Sequence, residues 1–501
     1  MASAEAKPTA DAGGSGARRT CTRAVVASAV LASLLAGCAV GPDFKRPAAP
    51  TVGTYTAQPL PAETASAPVA LGQAQRFADA PVDAAWWQRL GPPKLSALID
   101  AAFEASPTLA SAQSTLRQAQ ELHAARAGST LYPQVDAGLG AQRQRLSPSA
   151  LGQAGEPREF SLYNASVGVR YELDLAGGNR RALEALRARV EHRRFELEGA
   201  RLTLAANIVT TAITQAMLAA QIDASEAILR AQDEQLALAR ERERLGQASP
   251  DEVLTLQTQV EQTRASLPPL RQRLDETAHL LAVLAGRAPG AGDMPSFSLE
   301  EFTLPAELPL VVPSELARRR PDIRAAEALM HAANAEYGVA VARLYPQLKL
   351  SANLGSQALS TGALFGSGSA VWSLVGQLTQ PLFNPGLPAE KRASLAAFEA
   401  ASANYQGVVL EALRDVADVL RALDHDASAL AALASADEAA QGALESMRRR
   451  YALGAASYLD ILTAEQQAQQ TRVNLVAAQA QRLVDNAALY QALGGGWTET
   501  N

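Results

Sequence analysis

The residues able to do chemistry in this chain are few and poorly placed for catalysis. Five histidines, His123, His192, His279, His331 and His425, are scattered with no ligand-like spacing. The two cysteines, Cys21 and Cys38, both lie near the N-terminus, so they supply neither a disulfide framework nor a thiolate metal site. No nucleophile elbow, phosphate loop or paired acid–base motif is found. Gly494-Gly495-Gly496 follows a helical pattern and reads as a stop, not a phosphate cradle. The sequence therefore predicts no enzyme, no cofactor and no metal. Charged groups do gather beside two Leu-Gly pairs. Asp251 and Glu252 follow Leu245-Gly246, and Arg450, Tyr451 and Asp460 flank Leu453-Gly454. Such groups suit ion pairing or the capping of helix N-termini, where acids are favoured. Asp415 and Asp418 invite a pore-lining role, and a solvated helix face explains them as well.

Cys38 has a setting of its own. Arg18, Arg19 and Arg23 precede an apolar run, Ala24 to Leu35, too short to span a bilayer, which needs about 20 residues. A positive region, an apolar run and small residues ending in Leu35-Ala36-Gly37-Cys38 resemble a bacterial lipobox. The expectation is removal of residues 1–37 and lipidation of Cys38. The resemblance to Gram-negative lipoproteins implies that aspartate after the cysteine favours inner-membrane retention, so Ala39 in that place permits delivery to the outer membrane. Each buried acyl methylene contributes about 0.8 kcal/mol, so several chains anchor firmly.

The elements that must position these residues are written twice. Leu131-Tyr132-Pro133-Gln134 recurs as Leu344-Tyr345-Pro346-Gln347, and Pro107-Thr108-Leu109 matches Pro321-Asp322-Ile323. In a nearly fixed frame Leu245-Gly246 matches Leu453-Gly454, Ser249 matches Ser457, and Val253-Leu254-Thr255 matches Ile461-Leu462-Thr463. Each copy opens with a helical pattern, Lys94–Gly128 or Ser314–Arg343, which the Tyr-Pro-Gln corner ends. Two strands follow around a Gly/Ser-rich loop. Val135, Ala137, Leu139 and Ala141 alternate with polar or small residues, as do Tyr163, Ala165, Val167, Val169, Tyr171 and Leu173. In the second copy Leu348, Leu350, Ala352 and Leu354 alternate likewise. The fourth strand, around Val371–Gln380, is less regular, with Trp372, Leu374 and Leu378 on one face and Val371 and Val375 on the other.

Strands of about 10–13 residues exceed the usual 5–6 and match the 9–11 needed to cross a membrane. Four are too few for a barrel, since the smallest common ones have about 8, so closure requires several copies. After each hairpin, Asn179–Arg244 and Ala389–Tyr451 lack proline and nearly lack glycine. Each predicts a helix of about 95–100 Å at 1.5 Å per residue. Beyond the glycine turns come return helices, Pro250–Leu284 and Tyr458–Leu493, with Ser249 and Ser457 as N-caps. Apolar residues at 48% with aromatics at only 5% suit closely packed long helices. A net charge of −6 without a basic stripe argues against a nucleic-acid partner.

Together these features resemble the TolC-type outer-membrane factors, in the lipoprotein branch serving resistance-nodulation-division efflux pumps. Further matching stretches are Cys38-x3-Pro42-Asp43-Phe44-x2-Pro47, Trp86-Trp87, Tyr171-Glu172-Leu173-Asp174-Leu175 and Gln380-Pro381-Leu382-Phe383. The resemblance implies an α+β membrane protein, a homotrimer closing one 12-stranded β-barrel continued by a helical periplasmic tunnel. It implies a passive exit duct in the outer-membrane lipid, met by a periplasmic adaptor and an inner-membrane pump. Leu245, Gly246, Leu453 and Gly454 become adaptor-contact tips. Asp251, Glu252, Arg450, Tyr451 and Asp460 become periplasmic gate candidates. Thr463 and Ala456 depart from the charged residues some relatives carry there. The expected domains are signal peptide 1–37, acylated extended segment 38–93, first repeat 94–286, linker 287–312, second repeat 313–493 and tail 494–501. The alternatives are a duct for protein secretion or metal efflux, and a coiled-coil scaffold without a pore.

Overall fold

The computed structural model describes residues 39–148, 152 and 154–495. A short strand β1 (Arg76–Ala78) precedes the first copy of the repeat. That copy runs α1 (Pro93–Ala105), α2 (Pro107–Leu131), β2 (Gln134–Leu146), β3 (Arg158–Leu173), α3 (Gly178–Arg244) and α4 (Pro250–Leu284). The second, after β4 (Glu307–Pro309), runs α5 (Pro313–Arg319), α6 (Pro321–Ala342), β5 (Gln347–Ala358), β6 (Ala370–Thr379), α7 (Gly386–Ala452) and α8 (Tyr458–Ala492).

One sequence expectation needs correction. The opening helix of each copy is two helices, not one. Ser106 and Arg320 are extended, with ψ of 121° and 127°. Pro107 and Pro321 impose this, because a proline ring disfavours helix at the residue before it. Within the extended segment 38–93, Arg76–Ala78 forms β1, which pairs in parallel with β4 through Arg76↔Glu307 and Phe77↔Leu308. Strands of three residues carry too few alternations to show a period.

The chain forms two compact units. The first comprises 39–45, 120–188 and 330–400, the second 46–119, 189–329 and 401–495. In the first unit β2, β3, β5 and β6 make an antiparallel sheet in that order. Its register aligns the apolar residues across all four strands. Val135 lies opposite Val169, Val169 opposite Ala352, and Ala352 opposite Leu374. One step along, the row reads Ala137, Val167, Leu354, Trp372.

In the second unit the long helices pack as coiled coils. From Pro250 to Leu267 along α4 the buried residues are Val253, Leu256, Val260, Thr263 and Leu267, an alternation of three and four, and Leu281 and Ala282 are buried near its end. Of their repeat mates on α8, Ile461, Ala468, Thr471 and Leu475 are buried and Ala464 is partly buried. Each buried leucine contributes roughly 1.5–3 kcal/mol. Helix α4 continues past Pro268 and Pro269 without ending. Trp86 and Trp87 are buried, Trp86 stacking on Tyr490 at 5.3 Å.

Candidate functional site

The sheet is the first functional surface. Its apolar face lies open: Leu139 is 85% exposed, Trp372 78% and Leu374 73%, an exposed apolar array of the kind that marks a contact with lipid or with another protein. The opposite face carries Gln134, Asp136, Arg170, Glu172, Lys349 and Asn353. There Asp136 pairs with Arg170, and Glu172 lies 3.8 Å from Lys349. Val371 and Val375 fall on this polar face, as their positions in the sequence indicated. Among the described residues, β2 and β6 have no strand partner on their outer edges.

The residues after the lipobox are tied into the same unit. Cys38 itself lies outside the described residues. Val40 donates its N–H to the Ala176 carbonyl at 3.0 Å, and Asn334 donates to the Pro42 carbonyl at 3.0 Å. Asp43 accepts from buried Arg181 at 2.6 Å, and Phe44 stacks on His331 at 4.3 Å. Gly177, at φ 78°, is held against Ala39 so closely that a side chain there would collide with it. Asp174 accepts from the N–H groups of Asn179 and Arg180 and so caps the start of α3.

The coiled-coil tips are the second surface. Gly246 and Gly454 both sit at positive φ, 73° and 70°. In each, the following residue donates its N–H five residues back, Gln247 to Arg242 and Ala455 to Arg450, both at 2.8 Å. This is the six-to-one closure that ends a helix on glycine. Leu245 and Leu453 are 55% and 83% exposed. Ser249 accepts from the Glu252 N–H and Ser457 from the Asp460 N–H, each at 3.2 Å.

Of the five gate candidates, the structure brings two together. Tyr451 on α7 donates its hydroxyl to Glu252 on α4 at 3.0 Å, and Arg242 on α3 donates to that hydroxyl at 2.6 Å. The tyrosine thus bridges the two hairpins, and it holds the Arg242 guanidinium pKa above its ordinary value. Tyr451 also meets Tyr458 edge-on at 5.8 Å, and burial pushes the Tyr458 phenol upward. A second link runs beside it. Glu465 accepts from Gln235 at 2.7 Å and from Arg448 at 2.9 Å.

The other three candidates act locally. Arg450 donates to the Ala455 carbonyl at 3.2 Å. Asp460 accepts from the Ser457 N–H and hydroxyl, both at 2.8 Å, which holds its carboxyl below the usual range. Asp251 occupies the first turn of α4, where an acid suits the helix end. Asp415 pairs at 3.1 Å with Arg320, which also binds the Ala492 carbonyl; Asp418 stays exposed. Arg242, Gln235, Arg448 and Glu465 were not singled out from sequence. Polar residues in a heptad frame, Glu465 above all, were the available signal. Among the described residues no group of three or more His, Cys, Asp or Glu is placed to hold a metal.

Comparison with known proteins places this geometry. The family model "Outer membrane efflux protein" matches residues 98–287 and 312–495. The probable efflux pump outer membrane protein TtgC of Pseudomonas putida is 31% identical over 484 residues, covering 95% of this chain and 96% of that protein. The pyoverdine export outer membrane protein OpmQ of Pseudomonas aeruginosa is 33% identical over 421 residues, 82% of this chain and 87% of its own. The solved outer-membrane channel OprN superposes with a TM-score of 0.82 at 27% identity, covering 92% of this chain and 100% of that one. The chain belongs to the outer membrane efflux protein family. It is an α+β outer-membrane protein and the outer-membrane duct of an efflux system. The family sets aside the scaffold without a pore.

Proposed function

We propose that three copies of the chain close one 12-stranded barrel as the exit of a tripartite efflux assembly. The observation that carries this is the four-stranded sheet, apolar on one face, polar on the other and unpaired at β2 and β6. In lipid an unpaired strand edge leaves backbone groups without partners at several kcal/mol each. Joining β6 of one copy to β2 of the next removes every edge. The apolar face then meets lipid and the polar face lines water.

In this reading the duct is passive and performs no catalysis. Cys38 carries the lipid anchor. Leu245-Gly246 and Leu453-Gly454 of three chains present six tips to a periplasmic adaptor, which joins an inner-membrane resistance-nodulation-division pump. Tyr451, Glu252 and Arg242 clasp the two hairpins of each chain and hold the periplasmic mouth narrow. Relatives named for antibiotic, toluene and pyoverdine efflux accord with a duct that leaves substrate choice to the pump.

Light scattering in detergent, paired with conductance in planar lipid bilayers, tests the shared barrel. A conducting trimer is expected. A monomer that conducts ions at full amplitude refutes it.

A further inference from the structure

A cavity of about 770 Å³ lies in the second unit, walled by α3, α7 and α8 and bordered by Ala70, Leu71 and Leu299. That volume suits a small organic molecule. Helix α3 gives it a wall of small side chains, Ala219, Ala220, Ala224 and Ala227. Four carboxylates line it, those of Asp223, Glu300, Asp437 and Glu465, against two guanidinium groups, Arg448 and Arg472. Both cations are already engaged. Arg448 donates to Glu465 Oε1 at 2.9 Å, and Arg472 lies 3.7 Å from Asp437. The lining is therefore negative overall, and Asp223 and Glu300 supply the excess.

An independent observation points to an occupant. Gln232 lines the same cavity, is 2% exposed, and among the described residues has no hydrogen-bond partner at either Nε2 or Oε1. Glu465, 6% exposed, uses Oε1 for Gln235 and Arg448, while its Oε2 has no partner among the described residues. Buried amides and carboxylates are normally satisfied, because leaving them unpaired forfeits their hydration. Here one donor and two acceptors stand free beside a negative, alanine-walled space.

We propose that this cavity is a binding site for a small organic cation with a flat apolar body. The body lies on the alanine wall. A donor group on the ligand bonds Gln232 Oε1 and Glu465 Oε2, and its charge is balanced by Asp223 and Glu300. An organic anion meets the same lining as repulsion.

The test uses the full chain in a neutral detergent, titrated with ethidium and followed by fluorescence anisotropy. Saturable binding of one ethidium per chain is expected. Ala224→Phe, which fills the cavity, abolishes it. Gln232→Leu weakens it several-fold by removing both amide groups. Asp223→Asn combined with Glu300→Gln weakens it about tenfold by removing the excess charge. Because these two side chains are exposed, that variant decides the matter even if Ala224→Phe misfolds, which circular dichroism and oligomer size reveal. The anion 8-anilinonaphthalene-1-sulfonate fails to compete. Three results each overturn the proposal: no saturable ethidium binding, as when a neighbouring copy covers the cavity; equal binding by the charge-neutralised variant; or competition by the anion.

Discussion

Replacing Tyr451 by phenylalanine isolates the proposed clasp from everything around it. The ring stays, with its edge contact to Tyr458, and only the hydroxyl is lost. That hydroxyl makes two bonds, one accepted from Arg242 at 2.6 Å and one donated to Glu252 at 3.0 Å. A hydrogen bond contributes about 0.5–1.5 kcal/mol net, toward the upper end when a partner is charged. Two effects reduce the sum. The Arg242 side chain is 43% exposed, so water screens it. Arg242 and Glu252 already lie 3.6 Å apart and can close on each other once the hydroxyl is gone. About 1 kcal/mol per chain remains, or about 3 kcal/mol if three chains open together. At 1.4 kcal/mol per tenfold, the open state gains roughly a hundredfold in population. Purified wild type and Tyr451→Phe in planar bilayers, at matched trimer content, give the comparison directly. A much larger mean conductance is expected for the variant, and Glu252→Gln in the same background should add less than it does alone. Identical conductance in wild type and Tyr451→Phe would show that the hydroxyl bridges the hairpins without governing the mouth.

Three further outcomes follow from the same structure. Cys38→Ser should abolish acylation in mass spectra of the mature protein while trimers still form, since the lipid is an anchor and no part of the sheet; acylation that persists in this variant, or cleavage elsewhere, contradicts this. Leu453→Asp should lower adaptor binding and drug resistance with trimer yield unchanged, because a charge at an apolar contact must be desolvated, whereas Gly454→Ala, strained at φ 70°, should cost about 1 kcal/mol of tip stability whether or not an adaptor is present. Burial, and after it the neighbouring Asp426 carboxyl, pushes Asp485 up to about 7. The folded protein then holds a proton there that the unfolded chain gives up near pH 4, so the contribution of this one group to stability is fully present below about pH 4 and is lost as pH rises toward 7. The melting temperature of Asp485→Asn should lack this part of the decline, and an unchanged pH profile would place the titrating group elsewhere.

The strands and long helices were legible because their periods are long and uninterrupted. Val135 to Leu139 alternate cleanly, and from Gly178 to Arg244 no proline stops the helix. Even the irregular fourth strand could be read residue by residue. What escaped was short or distant. The break at Ser106 was announced by Pro107, yet the helical pattern on either side hid it. β1 and β4 are three residues each, and their pairing joins positions 231 apart. The Arg242–Tyr451 bond spans 209 residues, and no local spacing records it.

The repeat itself explains why the gate candidates divided as they did. In the frame that equates Gly246 with Gly454, Arg242 matches Arg450 and Glu252 matches Asp460. The same arginine and acid therefore stand at both tips, and sequence alone cannot say which copy uses them. Tyr451 breaks the tie, because its mate in the first copy is Glu243. With an aromatic hydroxyl on one hairpin only, the bridge can form in only one sense, from Tyr451 to the first copy's Arg242 and Glu252. Both arginines donate to the carbonyl that closes their own turn, Arg242 to Gln247 at 3.4 Å and Arg450 to Ala455 at 3.2 Å, and Asp460 bonds Ser457; what the first copy's pair adds is the Tyr451 hydroxyl. Combining Glu243→Tyr with Tyr451→Glu should test this symmetry argument. If the repeat frame governs the contact, Arg450 and Asp460 inherit the bridge, and if the surrounding packing of Tyr458 governs it, the doubly altered chain loses the clasp altogether.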